Sequence, residues 1–166
     1  MLTLGIDPGT ARLGFGLVDD AGELRCVEFG VVETSSRQAM PLRLVELHDA
    51  IESLIARHRP DALAVEQLFF ARNVTNALAV GQARGVVLLA AARAGLDVAE
   101  YTPSEVKQAV SGYGKADKAQ MGEMVRIILG LDRVPRPDDA ADALAVALCH
   151  AQTTPFKLRV GASRWT

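Results

Sequence analysis

The opening residues restrict the fold more than any other stretch. Leu2 to Asp7 is mostly apolar with little alternation, the pattern of a strand buried on both faces, and Pro8 and Gly9 end it with Asp7 at its carboxyl end. Leu13 to Val18 and Leu24 to Val32 read as two further strands, rich in Val, Leu and Phe. The turn Asp19, Asp20, Ala21, Gly22 joins them, so three strands in succession predict an antiparallel meander. The period then changes. Leu44, Leu47, Ile51, Leu54 and Ile55 follow helical spacing as far as the basic cluster Arg57, His58, Arg59 and the stop at Pro60. Ala62 to Glu66 is again a short apolar strand, with Glu66 at its carboxyl end.

Val74 to Arg93 is rich in Ala, Leu and Gly and predicts a largely buried helix, with Gly81 and Gly85 placed to admit another backbone. Asp97 to Tyr101 supplies a fifth strand. Thr102, Pro103 and Glu105 form a capping signal for a short helix that Ser111 to Gly114 breaks, and Asp117 with Gln120 opens another that lasts to Gly130. After the connector Arg133 to Pro137, Ala140 to His150 reads as a final helix. Residues 153–166 have weak periodicity, so the expectation is a domain over 1–152 followed by a mobile tail. The order βββαβαβ followed by helices describes an α/β fold, one mixed five-stranded sheet flanked by helices. Open α/β sheets carry their sites at strand carboxyl ends, where Asp7 and Glu66 stand.

Composition narrows the classes of function. At 166 residues, 49% hydrophobic and 23% charged, the chain has the size and balance of one globular domain. Cys26 and Cys149 are far apart, with no CxxC or Cys/His cluster, which argues against a secreted disulfide scaffold and a structural zinc site and for a reducing cytoplasm. No signal peptide is expected, and the longest apolar runs fall short of the roughly 18 residues of a membrane span. With 18 Lys+Arg against 20 Asp+Glu, no global positive field draws the chain to DNA, so a nucleic-acid site must be a local patch.

The carboxylates Asp7, Glu66, Asp138, Asp139 and Asp142 each have an ordinary reading: turn chemistry before Pro8-Gly9, a solvent-facing strand end, a helix cap. Asp139 and Asp142 share a helical face, as do Asp138 and Asp142, and spacing does not choose between the pairs. If these acids converge, two unit charges about 4 Å apart repel by roughly 4 kcal/mol at an effective dielectric of 20. Protons or divalent cations must then relieve the cluster, and all-oxygen donors favour Mg²⁺ or Mn²⁺ over zinc. A carboxylate-held pair of ions suits in-line attack of water on a phosphodiester.

Five ordered segments carry a family resemblance: GIDPGTARLGFGLV (Gly5 to Val18), AVEQLFFARN (Ala64 to Asn73), GQARGVVLLAA (Gly81 to Ala91), EVKQAVSGYGKADKAQ (Glu105 to Gln120) and DDAADALAVALCHA (Asp138 to Ala151). Together they resemble the RuvC family of bacterial Holliday-junction resolvases, over nearly the whole chain to about residue 151. The resemblance implies a ribonuclease H-like fold, a homodimer and Mg²⁺-dependent nicking of two symmetry-related strands of four-way junction DNA, with two ions per site and Mn²⁺ able to substitute. It implies Asp7, Glu66, Asp139 and Asp142 as the catalytic, metal-binding tetrad, because the family's acid-Ala-Ala-Asp motif aligns with Asp139 to Asp142 and leaves Asp138 as the helix cap. The RuvA and RuvB branch-migration proteins enter as further partners to consider, and no membrane is implied.

The DNA path is expected along Phe69, Phe70, Lys107, Lys115 and Lys118, and the resemblance adds Arg72 and Asn73 to it. Two adjacent aromatics do not easily share one core face, and an exposed one beside a phosphodiesterase site can stack on an unpaired base. The resemblance points to Phe69 for that role. Lys107, Lys115 and Lys118 form a dense basic stretch around Tyr113, and Lys107 and Lys118 look like phosphate contacts. His48, His58 and His150 have no acid or cysteine at metal-ligand spacing and read as ordinary surface or helix-end residues. Competing readings are a non-catalytic junction-binding scaffold and, since sugar kinases and ATPases also open with a strand, an acid and a Gly-Thr turn, an actin-like phosphotransferase. The helix from Gly81 to Ala92 is the expected contributor to a dimer interface.

Overall fold

The computed structural model describes residues 1–67 and 74–160. Three strands run first, β1 (Leu2–Asp7), β2 (Arg12–Asp19) and β3 (Arg25–Glu33). Helix α1 (Met40–His58), strand β4 (Ala62–Glu66), helix α2 (Val74–Arg93) and strand β5 (Asp97–Tyr101) follow. Helices α3 (Pro103–Ser111), α4 (Lys118–Ile128) and α5 (Asp138–Val160) complete the chain. The sheet order is β3-β2-β1-β4-β5, antiparallel across β3, β2 and β1 and parallel from β1 through β4 to β5. The expected meander and mixed five-stranded sheet are therefore both present.

Side chains on β1 alternate between two cores. Leu4 and Ile6 face Leu47, Ile51, Ala83 and Val87 of α1 and α2, while the opposite face of the sheet packs against α3, α4 and α5. The middle strands are buried on both sides, which is why Leu2 to Asp7 lacks alternation. Local chemistry sets the helix starts: Thr102 with Glu105 and Asp117 with Gln120 each form a complete capping box, as their spacing predicts.

Three readings need correction. The final helix extends beyond Ala140 to His150 in both directions, reaching residues 138 and 160, while residues 161–166 of the expected tail lie outside the described residues. Asp138 does not stand ahead of that helix as its cap: it is already in the first turn and pairs with Arg136. Helix α2 is not largely buried. Its inward face is Ala83, Val87, Ala90 and Ala91, whereas Leu78 and Leu89 are exposed, because the sheet covers only one side of it.

Helix α5 lies almost directly on the sheet. A Cβ added at Gly5 would overlap the carbonyl of Ala143 and crowd Ala147, one at Gly14 would overlap the carbonyl of Asp139, and one at Gly16 would meet Leu144 at under 3 Å. The helix answers with Ala140, Ala143 and Ala147, all fully buried. Small residues on both sides let backbone approach backbone. Gly5→Ala or Gly14→Ala is expected to cost about 2 kcal/mol or more, because the obstructing atoms are main chain. In a domain of this size that lowers Tm by roughly 4–8 °C. Gly22→Ala, where nothing lies within 4 Å of the added carbon, should leave Tm near wild type in the same thermal melt.

Candidate active site at the carboxyl ends of the strands

Each acidic side chain reaches the site from a different element. Asp7 ends β1 and Glu66 ends β4, and these strands are parallel neighbours, so their carboxyl ends lie side by side. Asp139 and Asp142 sit in the first turns of α5, where the positive end of the helix favours carboxylates. Asp7 is opposite Gly14 on β2, and Gly14 is the residue on which the Asp139 backbone rests. The same close contact that seats the helix thus brings its acids over Asp7.

Asp7, Glu66 and Asp142 line one cleft of about 210 Å³ together with Lys107, Lys118, Pro103, Val106, Met121, Ala145 and Val146. Burial, reinforced by repulsion from Asp142, Asp139 and Glu66, pushes the Asp7 carboxyl up to about 7, against partial relief from Lys118. Glu66 is raised as well, first by burial and then by Asp142, with Lys107 and Lys118 opposing. Lys118 donates to Asp142 Oδ2 at 3.2 Å, and attraction to that carboxylate holds the ammonium pKa above its ordinary value. Asp139 contributes as a charge acting on Asp7 and is not part of the cleft lining.

This donor set is suited to hard cations. Among the described residues the lining offers three carboxylates and neither cysteine nor histidine, and Asp7 and Glu66 are raised first by burial and then by neighbouring acids. Among the described residues, the trio with ligand atoms within 4.8 Å of one another is His48, Asp49 and Glu52, so the cleft acids are spaced more widely than that. The α1 trio is a polar cluster with both acids exposed, a common arrangement without an ion. His48 Nδ1 faces Asp49 at 3.4 Å while Nε2 faces Glu52 at 3.6 Å, and Glu52 also lies 3.8 Å from Arg93.

The histidines differ from expectation. His48 has those two acids, His58 pairs with Glu28 at 2.9 Å, and His150 is buried with Nδ1 2.8 Å from the Tyr101 hydroxyl. For His58 and His150 the partners lie on other elements, where sequence spacing carries little information, whereas Asp49 and Glu52 stand one and four residues after His48 and the i,i+4 spacing of His48 and Glu52 was readable on a helix. Of the expected DNA-path residues, Lys107 and Lys118 line the cleft and Lys115 is exposed just before α4, outside the lining. Phe69, Phe70, Arg72 and Asn73 lie outside the described residues. The apolar floor of Val106, Met121, Ala145 and Val146 went unassigned in the sequence because each residue also fits a helix core. A second hollow of about 360 Å³ adjoins the cleft through Lys118, Met121 and Asp142, and Arg136 and Asp138 line it. The signal for Arg136 was its place two residues before the acidic helix.

Comparison with known proteins gives the lineage. The family model described as crossover junction endodeoxyribonuclease RuvC matches residues 3–150. The chain is 58% identical over 164 residues to crossover junction endodeoxyribonuclease RuvC of Chloroflexus aggregans, covering 98% of this chain and 100% of that one. It is 55% identical over 162 residues to the protein of that name from Desulfitobacterium hafniense, covering 97% and 98%. Among solved structures, it resembles Thermus thermophilus RuvC in complex with Holliday junction substrate, with TM-score 0.89, 44% identity and coverage of 94% and 96%. The yeast mitochondrial Holliday junction resolvase Ydc2, 18% identical with TM-score 0.67 and coverage of 96% and 80%, shares the fold.

The raised pKa of Asp7 has a consequence for stability. An acid whose folded pKa lies above its unfolded value binds its proton more tightly when folded, so stability is greatest below the unfolded pKa and is lost as pH rises toward 7. Asp7→Asn is therefore expected to raise Tm by several degrees at pH 8 in the presence of a chelator, with the gap to wild type closing as pH falls toward 4. An equal gap at both pH values in differential scanning calorimetry would contradict this.

Proposed function

From the membership of this chain in the crossover junction endodeoxyribonuclease RuvC family, we propose that it resolves Holliday junctions in DNA recombination and repair. It does so as a structure-selective, Mg²⁺-dependent endonuclease that nicks two symmetry-related strands. The observation that carries this reading is the cleft in which Asp7, Glu66 and Asp142 meet Lys107 and Lys118. Asp7, Glu66, Asp139 and Asp142 would hold the divalent ions, two per site, with Mn²⁺ able to replace Mg²⁺. Bound there, such ions supply Lewis-acid stabilisation of charge on the attacking and leaving oxygens of a phosphodiester.

The chain's own groups supply the rest. Lys107 and Lys118 add ammonium groups to the lining of the acidic cleft, where a phosphate would otherwise be repelled, and so position the strand without reading its bases. The floor of Val106, Met121, Ala145 and Val146 limits the water around the reacting phosphate and strengthens the charges above it. Phe69 and Phe70 are proposed to stack on bases at the crossover, with Arg72, Asn73 and Lys115 along the path of the arms.

A homodimer acting on four-way junction DNA would present two such clefts to two equivalent strands, and paired nicks follow from the symmetry. Helix α2 is the proposed contact: Leu78 and Leu89 are exposed on it, and among the described residues no other element comes within 4 Å of a Cβ built at Gly85. Leu89→Glu should shift the species seen in sedimentation velocity from dimer to monomer. RuvA and RuvB remain proposed partners on the same substrate, and the setting of that DNA is the cytoplasm. Among the described residues, no helix is long and apolar enough to cross a membrane.

The deciding experiment compares a synthetic four-way junction with a linear duplex of the same sequence. Wild type with Mg²⁺ should nick the junction in opposed strands and leave the duplex intact. Asp7→Asn and Asp142→Asn should lower the nicking rate at least a hundredfold while binding the junction as tightly as wild type or more so, since each removes a charge that repels phosphate. Equal cleavage of both substrates, or Mg²⁺-dependent nicking that survives Asp7→Asn, would defeat the proposal.

A further inference from the structure

Arg43 is a charged residue in an unusual setting. It lies in the first turn of α1 and is only 8% exposed, yet no carboxylate among the described residues lies within ion-pair distance of it. Its Nε donates to Thr34 Oγ1 at 2.7 Å, and the Thr34 hydroxyl in turn donates to the Thr10 carbonyl at 2.5 Å. These bonds fix the guanidinium while leaving both terminal nitrogens without a protein partner, and neither is sealed from solvent. The neighbouring acids are engaged elsewhere: Glu33 accepts from Arg12 at 3.0 Å and Glu46 from Gln38 at 2.8 Å. A buried cation is ordinarily paired, so this one is arranged for an anion that comes from outside.

Two further features point the same way. The start of α1 has no side-chain cap on Ala39 and no acid in its first turn, so its positive end is uncompensated. Ser35, Ser36 and Arg37, all exposed, lead into it. The position matters as well. Thr10 follows Asp7 by three residues in the turn between β1 and β2, so Arg43 stands at the same end of the sheet as the acidic cleft. It lies on the opposite face, because Asp7 points toward α5 while α1 covers the side of Leu4 and Ile6. A duplex arm lying across that end of the sheet meets both faces.

Resting on the endonuclease reading above, we infer that Arg43 and the amino end of α1 bind a backbone phosphate of the DNA arm flanking the cleaved strand. The two terminal nitrogens form a planar fork that matches two phosphate oxygens. The contact positions the arm and does not touch the reacting phosphate.

The test is junction binding over a range of NaCl concentrations, using Asp7→Asn protein to prevent cleavage. Against that background, Arg43→Gln should bind about tenfold more weakly at 0.1 M salt, and its plot of log K against log[salt] should be shallower by about 1, the value of one lost phosphate contact. In otherwise wild-type protein, Arg43→Gln should raise KM while kcat at saturating junction stays within about threefold. If Arg43→Gln does not fold, Arg43→Lys, which keeps the charge and loses the fork, should weaken binding about fivefold with an unchanged slope. An Arg43→Gln protein that melts earlier but keeps the wild-type slope, or a folded Arg43→Lys with wild-type affinity, overturns the inference. So does a site that serves free phosphate: inorganic phosphate would then raise Tm in wild type but not in Arg43→Gln, with junction binding unchanged. Absence of junction binding before any change at Arg43 overturns the endonuclease reading as well, whereas binding with an unaltered slope removes only the role of Arg43.

Discussion

The contact of α5 with β1 and β2 is the constraint from which the rest of this structure follows. Gly5, Gly14 and Gly16 remove side chains from the sheet where the helix crosses, and Ala140, Ala143 and Ala147 remove them from the helix. The separation is then set by main-chain atoms, which cannot adopt another rotamer to relieve a clash. Asp139 lies on Gly14, and Gly14 is opposite Asp7, so the depth of the helix also sets the spacing of the charges. Packing and electrostatics are controlled by the same few small residues.

That geometry keeps carboxylates together against their repulsion. Asp7 is pushed up to about 7 by burial and three neighbouring acids, a destabilising arrangement that the apolar cores on both faces of the sheet must offset. Lys118 relieves part of it through its ion pair with Asp142. A cleft lined by both carboxylates and ammonium groups can attract cations and a polyanion alike. The uncompensated guanidinium of Arg43 repeats the theme on the other face of the same sheet end.

Much of this was legible in the primary structure because local signals act over short ranges. Strand and helix periods located every element, and the capping boxes at Thr102 and Asp117 appeared as read, since each involves residues three apart. Glu66 at the end of β4 was identifiable because a polar residue closes an apolar run. Ends and faces were harder. The last helix is longer than its clear periodicity, and α2 leaves one face open that its composition suggested would be buried. Ala and Gly report little about which side of a helix meets the core.

By itself the sequence determined the mixed sheet, the strand ends that carry Asp7 and Glu66, and the paired acids at the start of α5, because propensity, period and motif are properties of neighbouring residues. Only the tertiary structure decided which charges meet. It joined Lys118 to Asp142 across 24 positions, His58 to Glu28 and His150 to Tyr101, and left Arg43 buried without a carboxylate. The physical reason is that a charge interacts through space with whatever packing brings near it, and distance along the chain does not enter Coulomb's law.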